Sequence, residues 1–258
     1  MKRRQCLAAC ALLAGQSTGH ALRSVAIGFD EGSPPTMYRT VSSGVAQGIY
    51  PALVGAAFAA LGHPCELRAV PFKRLLAAVD EGQMLAGAVI RTPEREQRWL
   101  FSQPYFVERL AVYTRRAPFR SLGDLTGKRV GVIRGWSYGE AFDTARRLGR
   151  FQCEEVATDA HNFAKLQRGR LDHVVVTELA GRMLLQLREF KGGNIVAGAV
   201  VLGATPIHLA LPRALEGGAS LLAGFNAATE QLNKDGMVDL LVAREVGVTA
   251  EMVRAQGA

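Results

Sequence analysis

Gly135-Trp136-Ser137-Tyr138-Gly139 matches G-x-S-x-G, the turn that carries the nucleophile of many serine hydrolases. The apolar run RVGVI precedes it and GEAFDTARRLG, with helical character, follows, so strand, turn and helix come in the order the motif requires. A hydrolase of that kind needs an acid and then a histidine further along the chain. Asp159, Asp172, His161, His173 and His208 are available. His173, however, opens an apolar strand, His208 lies inside another, and no HGGG-like loop exists to build an oxyanion hole. The same geometry has a second use. A strand-to-helix turn offers backbone N–H groups and the positive end of a helix dipole. Ser137 adds a hydroxyl donor and Trp136 an apolar wall, which together suit an anionic or polar group with no bond made or broken.

The stretch VIRTPEREQRWLFSQPYF carries the other chemistry. Arg91 and Arg95 flank Thr92-Pro93-Glu94, where Pro93 suits a helix start and Glu94 its first turn. A guanidinium at the carboxyl end of a strand can grip a carboxylate in a bidentate pair; the plainer alternative is two solvated surface arginines. Other templates fail. GDLTGKR is one residue short of a P-loop between its glycines, and Arg129 stands where Ser or Thr is needed. The five histidines show no metal-ligand spacing, no G-x-G-x-x-G follows a strand, and no metal or cofactor is expected.

These residues must be placed by the elements around them. SVAIGF (24–29), CELRAV (65–70) and LAGAVI (85–90) read as strands, separated by helices over 48–61 and from FKRLLAAVDEG. The same order recurs. KRVGVI (128–133), CEEVAT (153–158) and HVVVTE (173–178) are strands, with helices over 137–148 and from DAHNFAKLQRG. The strands are apolar on both faces, as parallel strands covered by helices must be. VERLAVYTRR connects the two βαβαβ units, NIVAGAVV and PIHLALPR read as two later strands, and the chain ends in helices. The reading is α/β, two Rossmann-like lobes joined by a two-strand hinge, with ligands at the carboxyl ends of the strands. The expected division is a leader over residues 1–21, a first lobe beginning over 22–107, a second lobe over 108–206, and a return to the first lobe over 207–258. Hinges are expected near 105–109 and 203–207.

Bulk properties fit an exported globular chain. Of 258 residues, 48% are hydrophobic and 21% charged. MKRR, an apolar run too short to span a bilayer, and Gly19-His20-Ala21 read as a signal peptide cleaved near Ala21, which places the mature protein in the periplasm. LAAC (7–10) resembles a lipoprotein box, but almost no apolar run precedes Cys10. Losing Lys2, Arg3 and Arg4 lowers the formal charge from +8 to +5. The basic residues are scattered without interleaved aromatics, so no nucleic-acid partner is expected. Cys65 and Cys153 remain in the mature chain and read as two buried thiols rather than a bridge.

TPER followed by FSQPYF, then GDLTGKRVGVIRG, LQRGRLDHVVV and LNKDG in that order, resemble the solute-binding family 3, the periplasmic binding proteins of polar-amino-acid ABC importers. The resemblance spans about residues 24–247 and points to a divergent branch. It implies that Arg95 clamps a ligand carboxylate, that Asp30 contacts ligand and that Phe72 stacks on it. It also implies that Trp136, Ser137 and Tyr138 line the cleft from the second lobe. Where such amino-acid binders carry an Asp for the ligand ammonium, this chain has Thr177, with Glu178 beside it, and GAVIR replaces a hydroxyl-rich loop. Arg74, Arg91 and Thr92 join the candidate ligand residues, and an organic anion becomes an alternative to an α-amino acid.

The resulting reading is a monomeric, exported binding protein without enzymatic activity. It captures a small carboxylate-bearing metabolite, amino-acid-like by default, by hinge closure, with an inner-membrane ABC permease as its partner. One alternative is a cyclohexadienyl or prephenate-type dehydratase on the same fold, with Glu178 or Glu140 as acid. Others are a G-x-S-x-G hydrolase on a different fold, and a periplasmic sensory module.

Overall fold

A computed structural model describes residues 24–39, 44–115 and 119–246. The leader expected over 1–21, with cleavage near Ala21, lies outside these residues. In chain order the elements begin with β1 (Val25–Asp30), β2 (Gly32–Ser33), β3 (Met37–Arg39), β4 (Ala46–Gln47) and α1 (Ile49–Ala60). Next come β5 (Cys65–Val70), α2 (Phe72–Asp80), β6 (Leu85–Val89), α3 (Pro93–Glu96), β7 (Trp99–Phe101) and β8 (Phe106–Thr114). The second half holds β9 (Arg129–Ile133), α4 (Glu140–Arg147), β10 (Gln152–Val156), α5 (Asp159–Gln167), β11 (His173–Thr177) and α6 (Glu178–Gln186). It closes with β12 (Val196–Pro212), α7 (Gly218–Lys234) and α8 (Met237–Val246).

The strands run in the order β10-β9-β11-β8-β12-β6-β1-β5, with β7 added beside β12, while β2, β3 and β4 form a separate small sheet. β1 lies parallel to β5 and β6, and β9 parallel to β10 and β11. These are the two βαβαβ units read from the sequence, and the fold is two α/β lobes joined by two strands. β8 and β12 make the join. They pair antiparallel from Val196↔Thr114 to Ile207↔Phe106, and β12 then continues into the first lobe beside β6 and β7. The two strands expected from NIVAGAVV and PIHLALPR are therefore one; the Gly203-Ala204-Thr205 interval, read as a break, stays paired to β8. The sequence reading also omits α6. Thr177 ends β11 and caps α6 at once, its hydroxyl accepting the Ala180 N–H at 3.3 Å, so no turn residue signals the change of period.

Both faces of each lobe's sheet are covered. In the first, Phe29, Leu53, Phe58, Leu209 and Phe225 pack on the α1 and α7 side, and Leu75, Val79, Trp99 and Ala210 on the α2 side. In the second, Val130, Val132, Phe142 and Val175 face α4, while Tyr113, Phe163, Val174 and Val176 face α5 and α6. β6 and β11 are buried along their whole length, as strands between two helical layers must be. The start of α1 is held unusually close. The N–H groups of Ile49 and Tyr50 donate to the Pro35 and Thr36 carbonyls at 3.1 and 2.9 Å, and Gly48, with φ of 112°, makes that approach. Cys65 and Cys153 are free, half-buried thiols on β5 and β10.

Candidate functional site

The carboxyl ends of the parallel strands of both lobes meet at a cleft. A cavity of about 40 Å³ lies there, lined from the first lobe by Phe72, Val89, Ile90 and Arg95, and from the second by Leu110, Trp136, Ser137 and Thr177. Glu108 and Thr205, partners at the centre of the β8–β12 ribbon, form part of its wall. That space holds a few water molecules and no more. An open groove of about 920 Å³ continues outward past Arg91, Arg95, Glu140, Asp143 and Arg146.

Arg95 is positioned by the short α3. Thr92 caps this helix, accepting the Arg95 N–H at 3.3 Å, and Pro93 starts it. The guanidinium is folded inward, leaving the residue 7% exposed. Its Nη1 donates to the Ile90 carbonyl at 2.9 Å, and its Cζ lies 5.6 Å from the Phe72 ring centre and 6.0 Å from that of Trp99. Burial lowers its pKa from the usual arginine value, with Glu94 and Asp143 opposing. No carboxylate comes within 4 Å of it among the described residues. A buried, uncompensated cation is costly, and an incoming anion relieves that cost.

Phe72 and Trp136 meet edge to face, 6.1 Å between ring centres, one from each lobe. The Trp136 Nε1–H donates to Asp30 Oδ2 at 3.0 Å, so the second lobe's turn is bonded to the end of β1. Asp30 also accepts the Glu31 N–H at 2.8 Å and is 2% exposed. Desolvation raises its pKa to about 6 against these hydrogen bonds. Arg95, Phe72, Trp136 and Asp30 thus form a continuous row, cation at one end and acid at the other.

The structure brings Phe72, Thr92, Arg95, Trp136, Ser137 and Thr177 to the cleft or its rim, while Asp30 lines neither space and lies buried behind Trp136, accepting its indole N–H. Arg91 is more exposed, paired with Glu96, and faces the outer groove. Two expectations are corrected. Arg74 is exposed on α2 and lines neither space, because a position two residues beyond the buried Phe72 falls on the opposite face of the helix. Tyr138 is 3% exposed within the second lobe's core, its hydroxyl accepting the Ile133 N–H at 2.7 Å. It holds the turn rather than a ligand. Tyr138→Phe leaves a buried N–H without a partner and should cost about 1–3 kcal/mol, read as a lower melting temperature with ligand affinity unchanged.

The turn itself also differs from expectation. α4 begins at Glu140 rather than Ser137, and the Trp136 and Tyr138 N–H groups are already bonded, to the Ile133 carbonyl at 3.2 Å and Asp143 Oδ1 at 3.1 Å. Ser137 donates its hydroxyl to Asp143 in a short bond. An acid, not a histidine, therefore holds the hydroxyl, opposite to what a serine nucleophile requires. Among the described residues no group of three or more His, Cys, Asp or Glu is arranged for a metal ion, and no helix is long and apolar enough to cross a membrane.

Sequence reasoning missed Tyr50 and Glu108. The Tyr50 hydroxyl donates to Glu108 in a short bond, and Glu108 is 3% exposed. Burial, reinforced by Asp159 and Glu178, raises its pKa well above the usual carboxyl range. A single Glu in VERLAVY reads as the exposed face of a connector, and no spacing marks it as buried. Glu178 pairs with Arg109 at 3.0 Å and Arg182 at 2.6 Å.

The family model for bacterial extracellular solute-binding proteins, family 3, matches residues 25–248. No curated protein matches the chain significantly. Solved structures match in fold. One is a histidine kinase sensor domain similar to periplasmic binding proteins, at 23% identity and TM-score 0.76, covering 88% of this chain and 97% of that one. Another is an ancestral arginine-binding protein bound to arginine, at 24% identity and TM-score 0.72, covering 86% and 97%. A third is an arginine transport periplasmic binding protein from Legionella pneumophila, at 18% identity and TM-score 0.71, covering 86% and 99%. At such identities the likeness is one of fold.

Proposed function

The chain belongs to the bacterial extracellular solute-binding proteins of family 3, and from that we propose that it captures a small carboxylate-bearing metabolite in the cleft between its lobes. The observation that carries this reading is Arg95, a buried guanidinium in the wall of the cleft with no carboxylate partner among the described residues. A ligand carboxylate supplies the missing charge in bidentate fashion. Phe72 and Trp136 pack on the ligand's apolar part, and Asp30, Ser137 and Thr177 supply polar contacts. An amino-acid-like molecule fits the row from Arg95 to Asp30, because it carries an anion at one end and a donor at the other.

Such a ligand is larger than the 40 Å³ cavity, so it enters an opened cleft. The β8–β12 ribbon around Glu108 and Thr205 is the covalent path between the lobes among the described residues and is where bending would fall, and touching both lobes at once makes the ligand favour closure. Delivery to an inner-membrane ABC permease from the periplasm is the role this implies, with the division at residues 22–107, 108–206 and 207–258 as the moving parts. No catalytic step is part of the proposal.

The test is a thermal-shift and calorimetric screen of the purified chain with L-arginine, L-glutamine, L-glutamate and succinate. At 100 times its Kd, a ligand is expected to stabilise the fold by about 2.7 kcal/mol. If no carboxylate raises the melting temperature while a neutral solute does, the reading fails.

A further inference from the structure

Asp159 is a buried acid that the proposed ligand contacts do not use. It is the first residue of α5, 2% exposed, and neither carboxyl oxygen has a hydrogen-bond partner. The wall in front of it belongs to the other lobe. β2 sits so close to the segment before α5 that a Cβ on Gly32 would fall 2.5 Å from the Ala157 carbonyl oxygen. Ser33, next along β2, is buried beside Asp159; its hydroxyl is near enough to oppose the rise in the Asp159 pKa but is not in good hydrogen-bond geometry with it. The contact between the lobes therefore supplies part of the wall that keeps this carboxyl out of water.

The titratable groups that face it are acids and a phenol. Asp30 faces it from β1 and Glu108 from β8, with the neutral Tyr138 hydroxyl from the turn after β9. The nearby cations are committed elsewhere. On β10, Glu154 holds Lys165 of α5 and Glu155 holds Arg146. On α6, Glu178 holds Arg182 and Arg109. His161 of α5 is exposed, and His173 opens β11 at the end of that strand away from the cleft. The positive end of α5 favours the ionised form, but less than desolvation disfavours it.

We propose that closing the cleft takes up a proton at Asp159, so that acid favours the closed state and rising pH opens it. The inference goes beyond the carboxylate-capture reading and does not depend on which ligand binds. With the lobes together, burial and the neighbouring Asp30 raise the Asp159 pKa to about 8. With the lobes apart, the carboxyl meets water and returns to an ordinary value near ~4. The higher value belongs to the closed form. Its advantage is therefore complete below the open-state value and is lost as pH rises through about 8. Within that window one proton makes the closing equilibrium fall by up to about tenfold per pH unit.

The test is small-angle X-ray scattering of the ligand-free chain across pH 5 to 9. The radius of gyration of the wild type is expected to grow as pH rises. Asp159→Asn, which is uncharged at every pH, should stay compact over the upper half of that range, and Asp159→Ser should do the same if the amide variant folds poorly. A wild-type radius that does not change overturns the proposal, and so does a neutral variant that expands as the wild type does. Carboxylate binding that depends on Arg95 would stand in either case, so failure here is distinct from failure of the functional reading.

Discussion

Arg95→Ala is expected to weaken binding of the captured carboxylate by about 30-fold or more, since truncating one partner of a buried charge pair typically costs 2–5 kcal/mol. The empty protein should not suffer in proportion. The wild type already carries the cost of a cation with no carboxylate beside it, and the variant loses one hydrogen bond to Ile90 and two aromatic contacts. Binding and stability therefore separate: titration calorimetry shows the affinity loss, while thermal unfolding of the empty chain moves by only a few degrees. Arg95→Lys should rescue little, because an ammonium keeps the charge but not the planar fork. If Arg95→Ala binds within threefold of the wild type, another group holds the carboxylate.

Gly48→Ala should have the largest effect on stability. Gly48 has φ of 112° and ψ of −174°, a region in effect reserved for glycine. A Cβ there would lie 2.6 Å from both the Pro35 and Thr36 carbonyl oxygens. Those oxygens cannot retreat, because they accept the first N–H groups of α1. Backbone strain and overpacking together cost about 2–6 kcal/mol. At about 2–4 °C per kcal/mol, the melting temperature falls by roughly 10 °C. A shift of α1 would also carry Tyr50 away from Glu108, so ligand affinity should fall alongside stability. A melting temperature within two or three degrees of wild type would show that the turn before α1 yields more easily than its hydrogen bonds suggest.

Much of this was legible in the residues. β1, β5, β6, β9, β10 and β11 lie within two residues of where apolar runs placed them, because a strand covered on both faces must be apolar along its length. α6 escaped notice because Thr177 is both the last strand residue and the helix cap. The apolar runs NIVAGAVV and PIHLALPR read as two strands where β12 is one, because the pairing that carries it through Gly203–Thr205 comes from the distant β8. In the site, Arg95 could be found from its place after a strand. Tyr138 and Glu108 could not, since their roles depend on distant contacts: a hydroxyl bonded to the backbone of Ile133, and a carboxyl met by Tyr50 from another element. Asp159 sits at an ordinary helix start, and the approach of β2 from the other lobe, a contact distant in the chain, helps to bury it.

The two thiols have a consequence of their own. Cys65 lies on β5 and Cys153 on β10, the first and last strands in the order of the sheet. They cannot staple the cleft, so oxidation leaves the jaws free to work. Among the described residues they also give each jaw one native attachment point. Burial pushes both thiols up, which slows their modification without preventing it. A fluorophore on each would form a ruler across the whole molecule, reading every opening as a change in length without a substitution near the cleft.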